Sequence, residues 1–205
     1  MISDEKIRAA LAEVARFYDR RKVGDVGHLG FRRSTDLGKL SMCLEWMIGK
    51  GLLAPGRSRF LDMGCGDGRV NVLFSYLVEV SVGVELDEWT LDDYFPLREE
   101  LDRVLRSRDI SPPPDNILLF CGDSTDEALH EDIREKTAFA FSDFDLFYTY
   151  LTMQEEFAAL ISRKAKQGAV FMVYGLERIM PGLEGFELLT PGQSLEGILA
   201  LYRKK

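Results

Sequence analysis

The chain has 205 residues, 46% apolar and 29% charged, which suits one domain with a sizeable core and no disulfide framework. Its formal net charge of -8 argues against a protein whose whole surface grips nucleic acid. The separated cysteines Cys43, Cys65 and Cys121, with His28 and His130 as the only histidines, leave too few ligands for a structural zinc site. No apolar run reaches the ~18–20 residues of a membrane helix, and the acidic start at Asp4 and Glu5 is unlike a signal peptide. A soluble cytoplasmic protein is the expectation. The charge is uneven, with nine Lys/Arg against six acids in residues 1–40 and 17 against 28 in the rest.

Residues 3–22 read as a helix, with Ser3 as N-cap and Ile7, Leu11, Val14 and Tyr18 on one face. Gly24, Gly27 and Gly30 mark residues 23–31 as a loop, with His28 as an exposed loop residue. Ser34 or Thr35 caps a second helix whose apolar stripe is Leu37, Leu40, Leu44, Met47 and Ile48. From residue 59 the pattern alternates. Strands are expected at 59–63, 80–85, 116–121, 144–150 and 168–175, with helices at 69–78, 92–106, 126–135 and 154–166.

Two more strands, 186–189 and 198–203, close the chain. The segment between them holds Pro191, Gly192 and Gly197 and is too short for a parallel crossover, so they form an antiparallel hairpin. The expected fold class is α/β: a Rossmann-like three-layer sandwich with a seven-stranded, mostly parallel sheet and an antiparallel C-terminal hairpin strand. Residues 1–56 form an N-terminal helical extension or lid, and residues 57–205 the catalytic core.

The densest local signal is Asp62-Met63-Gly64-Cys65-Gly66-Asp67-Gly68-Arg69, glycines at every second position between a strand and a helix. Glycines there permit positive φ and let a ligand approach the backbone. A dinucleotide fingerprint needs its third glycine where this chain has Arg69. The acid at Asp62 repels a pyrophosphate but suits a ligand carrying an amine and a sulfonium. Glu85, ending the next strand, can accept bonds from both ribose hydroxyls. Asp123 can accept from an adenine amine, or can cap the following helix.

Taken together, these residues resemble a class I S-adenosylmethionine-dependent methyltransferase, and the likeness runs from about residue 57 to the C-terminus. The resemblance implies S-adenosyl-L-methionine as cofactor. Asp62 and the loop Gly64, Cys65, Gly66 and Gly68 would hold the methionine part. Glu85 would take the ribose and Leu86 the adenine face, with Asp123 and Ser124 at the adenine edge. The Ser34-Thr35 turn is similar to one in seven-strand protein-lysine methyltransferases, which adds Thr35 to the cofactor set.

The methyl group moves by in-line displacement from a good leaving group, so alignment is the main requirement and a catalytic histidine is not needed. In this family the end of the fourth strand faces the methyl. Tyr150 and Thr152 stand there, within Tyr150-Leu151-Thr152-Met153, where enzymes acting on base or amide nitrogens carry Asn/Asp-Pro-Pro-Tyr/Phe. Tyr150 is the choice for positioning the acceptor, whereas Tyr148 and Phe144 read as core and Cys65 as packing. Asp143, Asp145 and Glu155 do not converge as metal ligands, so no metal is expected.

A protein side chain, lysine included, or a small molecule is the expected acceptor, ahead of RNA, and no membrane partner is expected. The competing readings are an NAD-dependent oxidoreductase and a noncatalytic cofactor-binding partner subunit. The sequence does not identify the acceptor, the oligomeric state or any general base.

Overall fold

The computed structural model describes residues 2, 4–21, 26–27, 30–31, 34–176, 180–190 and 192–205. Helix α1 (Glu5–Asp19) starts at Asp4, whose carboxylate accepts the Lys6 N–H at 2.8 Å. Ser3, expected as that cap, lies outside the described residues, as do His28 and the basic residues Lys22, Arg32 and Arg33. The stretch expected as a loop carries a short antiparallel pairing, β1 (Val26–Gly27) with β2 (Gly30–Phe31). Strands of two residues are too short to leave any periodicity in a sequence.

Helix α2 (Leu37–Gly49) is capped by Asp36 rather than by Ser34 or Thr35. Asp36 accepts the Lys39 N–H at 2.8 Å, while the Asp19 carboxylate accepts the Leu37 and Gly38 N–H groups at 2.9 and 3.0 Å. Two aspartates thus satisfy three of the four backbone donors that every helix start leaves unpaired. The Thr35 hydroxyl is released for another partner.

The body alternates as expected: β3 (Arg59–Asp62), α3 (Arg69–Ser75), β4 (Val80–Glu85), α4 (Glu88–Asp92), α5 (Tyr94–Ser107), β5 (Ile117–Cys121), α6 (Glu127–Thr137), β6 (Leu146–Tyr150), α7 (Gln154–Lys164), β7 (Val170–Tyr174), β8 (Phe186–Leu188) and β9 (Leu199–Lys204). The single polar helix expected at 92–106 is two helices. Pro96, in the first turn of α5, lacks the N–H that would bond back to Asp92, and its ring would clash with that carbonyl. Helix α3 stops at Ser75, three residues early. Asn116, expected as a strand residue, instead donates its amide to the carbonyls of Ser75 and Val78 at 3.0 Å each.

The seven-stranded sheet runs β5-β4-β3-β6-β7-β9-β8. The first five strands are parallel, and β9 is antiparallel to both β7 and β8, which is the closing hairpin expected. Side chains alternate across the pleat, so each strand feeds two cores. On one face Phe60, Leu146, Tyr148, Val170, Met172 and Leu201 pack with α1, α2, α3 and α5. On the other, Leu61, Val82, Phe147, Phe171 and Tyr202 pack with α6 and α7. Phe144 and Tyr148 are both core, as expected, but they belong to opposite layers.

The chain enters the sheet at β3, builds outward through β4 and β5, and returns to lay β6 on the other side of β3. That reversal leaves a crevice at the C-terminal ends of β3 and β6, the place where open α/β sheets bind ligands.

Candidate cofactor and acceptor site

Asp62 is the last residue of β3 and is 1% exposed. One carboxylate oxygen accepts the Gly64 N–H at 3.3 Å, and the other, Oδ2, is buried with no protein partner. Burial pushes this carboxyl well above the usual carboxylate range, and the negative charges of Glu85 and Asp67 push it further. An unpaired buried carboxylate costs stability, so its retention points to a ligand that completes it.

Three glycines follow, and they differ in what they do. A Cβ on Gly64 would meet no protein atom within 4 Å, so the backbone there borders open space. At Gly68, φ is +72° and a Cβ would lie 2.8 Å from Tyr94 Cδ2 and 2.9 Å from Leu119 Cδ1. Gly68 therefore serves tight packing, and Gly64 the accessible cradle. Cys65 is buried, and a Cβ on Gly83 would come within 2.8 Å of its own Cβ, which is the packing role expected of it.

Glu85, at the end of β4, reaches the loop directly. One oxygen accepts the Gly66 N–H at 2.9 Å and the other the Asp87 N–H at 3.0 Å. Each carboxylate oxygen has a second lone pair for a further donor. The neighbouring Leu86 is 62% exposed.

Asp123 is exposed, and its Oδ1 accepts both the N–H and the hydroxyl of Thr125 at 2.8 Å, which holds its carboxyl below the usual range. It is not the helix cap, since Asp126 takes that place. Ser124 is buried and turned inward, donating to the Met63 carbonyl at 3.0 Å, while the His130 ring Nε2 lies 2.9 Å from its own carbonyl. Ser124 thereby ties the β5 end to the glycine loop.

Asp67 and Arg69 form a buried bidentate pair, with Nη2–Oδ2 at 2.7 Å and Nε–Oδ1 at 2.9 Å. The Arg69 guanidinium also lies 5.4 Å from the centre of the Tyr18 ring on α1. Reading the motif for its glycines missed this pair, although opposite charges two residues apart at a helix start were the available signal. The pair gives Asp67 a cationic partner within the protein, whereas Asp62 and Glu85 have none among the described residues.

On the β6 side, Tyr148 stands beside Asp62 in the parallel register. Its hydroxyl pairs with Thr35 Oγ1 at 2.7 Å, and the Tyr174 hydroxyl accepts the Asp36 N–H at 3.0 Å. Two tyrosines thus anchor the start of α2 on the sheet, Tyr148 from the register position beside Asp62 and Tyr174 from β7.

Beyond Tyr148 the strand ends in an exposed turn. The half-buried Tyr150 ring lies 5.2 Å from that of Tyr174. Leu151 and Met153 are exposed and hold φ of 27° and 51°, which non-glycine residues rarely adopt. Thr152 is exposed, and its carbonyl accepts the Thr149 hydroxyl at 3.1 Å. Gly175 leaves room for this turn, since a Cβ there would approach Leu151 Cβ to 3.2 Å.

Among the described residues no three His, Cys, Asp or Glu side chains are grouped as metal ligands. Asp145 lies at the opposite, N-terminal edge of the sheet. It accepts the Arg59 N–H at 2.8 Å and pairs with Lys166 at 2.6 Å.

No family model and no curated protein matches the sequence. Solved structures do resemble the fold. The Escherichia coli protein yhhF, described as a candidate methyltransferase, has a TM-score of 0.51 at 12% identity, over 85% of this chain and 88% of its own. An RNA methyltransferase from Salinibacter ruber, solved with S-adenosyl-L-homocysteine, has 0.50 at 14%, over 84% and 93%. A Klebsiella pneumoniae protein described as a candidate O-methyltransferase has 0.50 at 12%, over 100% and 92%. With its strand order, inserted antiparallel β9 and glycine loop, the chain has the class I methyltransferase fold.

Proposed function

We propose that the chain is an S-adenosyl-L-methionine-dependent methyltransferase. The observation that carries this reading is the buried, unpartnered Oδ2 of Asp62 beside the open backbone at Gly64. A carboxylate kept there with no protein cation calls for a donor-bearing, positively charged ligand. The α-amino group and sulfonium of S-adenosyl-L-methionine fit that demand, and a pyrophosphate does not. The residues fit the rest of the cofactor as well, with Glu85 for the ribose, Leu86 for the adenine face, Asp123 for its amine edge and Thr35 near the methionine end. When bound, the cofactor supplies an electrophilic methyl group on a good leaving group.

What the protein adds is alignment and exclusion of water. Tyr150 and Thr152 belong at the acceptor mouth, and the strained turn at Leu151 and Met153 gives it an apolar wall. We assign the acceptor to a protein side chain, a lysine amine among them, or a small molecule. Residues 1–56 act as a lid or acceptor-facing extension, held at Thr35 and Asp36 by the two tyrosine hydroxyls.

An NAD-dependent oxidoreductase is the weaker reading. The position of the third fingerprint glycine is filled by Arg69, whose charge is already neutralised by Asp67. A noncatalytic partner subunit would keep the cofactor site without transfer. Calorimetry with S-adenosyl-L-homocysteine and with NAD tests the cofactor, and labelled-methyl transfer to fractionated cell extract tests the acceptor. Binding of NAD without S-adenosyl-L-homocysteine overturns the proposal.

A further inference from the structure

Beside the glycine loop, residues 85–95 hold five acids (Glu85, Asp87, Glu88, Asp92 and Asp93) and no lysine or arginine. The same stretch carries the most exposed large apolar side chains described: Trp89 at 84%, Phe95 at 68% and Leu86 at 62%. The ridge is firmly seated. Buried Thr90 lies 4.0 Å from where a Gly66 Cβ would stand, and Tyr94 packs against Gly68. Trp89 and Phe95, their sequence neighbours, are left to solvent.

The acids are gathered in space as well as in sequence. Glu88 and Asp92 lie one turn apart on α4, which packs on β5, and Cys121 of β5, paired in register with Glu85, has its thiol 3.9 Å from the Leu86 carbonyl. Among the described residues, Glu88, Asp92 and Asp93 make no ion pair, in contrast to Glu79, Glu100, Asp102 and Glu127 elsewhere on the surface.

An indole next to the carboxylates of Glu88, Asp92 and Asp93, which make no ion pair among the described residues, is a surface for cations. The ring face attracts ammonium and guanidinium groups, and the carboxylates supply the complementary charge. Exposed aromatics of this size also mark contact sites rather than idle surface. Phosphate backbones are repelled by the acids. A second copy of this chain would set the same carboxylates against one another in a symmetric contact.

We propose that the ridge from Glu88 to Phe95 docks a lysine- and arginine-bearing segment of a partner protein beside the cofactor crevice. This deepens the methyl-transfer reading by naming the acceptor as a basic polypeptide, and rests on it for that step only. Docking itself needs no cofactor.

The test is fluorescence anisotropy with a fluorescein-labelled peptide of alternating lysine, glycine and arginine, alongside calorimetry with S-adenosyl-L-homocysteine. Trp89→Ala and the double variant Asp92→Asn/Asp93→Asn should each weaken peptide binding about tenfold. The charge-matched control Asp132→Asn/Glu135→Gln, on exposed positions of α6, should leave it unchanged. All three should bind S-adenosyl-L-homocysteine as the parent protein does.

Equal peptide binding by ridge and control variants overturns the proposal. So does preferential binding of a labelled RNA oligonucleotide that Trp89→Ala abolishes. A loss of S-adenosyl-L-homocysteine affinity in Trp89→Ala would assign the ring to the cofactor and overturn it too. Peptide failure with intact cofactor-product binding removes the docking surface alone, and the converse removes the methyl-transfer reading alone.

Discussion

The two ends of the central sheet treat their acids differently. At the N-terminal end Asp145 accepts the Arg59 N–H and pairs with Lys166, and Glu79 pairs with the Arg59 side chain at 2.9 Å. At the C-terminal end Asp62 keeps a buried oxygen with no partner, and Glu85 accepts only backbone N–H groups. Asp67 is held there by Arg69, while Asp87 and Asp123 accept the hydroxyls of Thr90 and Thr125. Acids at the first end are completed by the fold. At the second, Asp62 and Glu85 keep acceptor positions that no described side chain fills, which is the demand the proposed cofactor would meet.

The largest expected effect lies at the Asp67–Arg69 pair. Arg69→Ala strands the buried Asp67 carboxylate and should cost about 3–5 kcal/mol of stability in denaturant melts. Adding Asp67→Asn should restore much of it. No loss in the single variant would mean that the pair is not the lock between the loop and α1.

Asp62→Asn should weaken S-adenosyl-L-homocysteine binding by about 1.5–3 kcal/mol, the worth of a charge-assisted hydrogen bond. It should not destabilise the free protein, because it removes a buried charge that nothing completes. The pH dependence sharpens this. The Asp62 carboxyl is raised in the folded state, mainly by burial, so above the ordinary carboxylate range the native state binds more protons than the unfolded chain. Stability of the free protein therefore falls as pH rises from the unfolded value towards the folded one. Asp62→Asn should remove that slope, and an unchanged slope would locate it in another group.

At the other end, Asp145→Ala should cost about 1 kcal/mol, since the pair is partly exposed, and should leave S-adenosyl-L-homocysteine binding untouched. A loss of binding would erase the contrast between the two ends. Tyr150→Phe should give the smallest change in stability and cofactor binding while lowering methyl transfer. A loss of fold instead would make Tyr150 a packing residue against Tyr174.

The fold was legible because its signals are local and periodic. Strand and helix alternation and the short link between the last two strands determine order and pairing. Helix caps were less legible. Ser34, Thr35 and Asp36 are all good caps, and the choice falls to Asp36 because Asp19, on another helix, already holds two of the donors.

The places of Asp62 and Glu85 at strand ends, and of Gly64 in the loop that follows β3, were legible from the strand–loop–helix pattern. The inward turn of Ser124 was not, because it depends on Met63, 61 residues away in sequence. Tyr148 was readable as core but not as the partner of Thr35, a contact spanning 113 residues. Exposure was equally hidden, since nothing in the sequence separates Trp89, left to solvent, from Tyr94, buried on the loop.

In the proposed function, the C-terminal end of the sheet is an incomplete acidic site for S-adenosyl-L-methionine. Isothermal titration of S-adenosyl-L-homocysteine into the parent protein and Asp62→Asn, with both unfolding curves in hand, tests it most directly. Binding by the parent protein is expected, with a ten- to hundredfold loss in Asp62→Asn, about 1.5–3 kcal/mol, and no loss of stability. Equal affinity in the two proteins, or no binding by a folded parent protein, would contradict it.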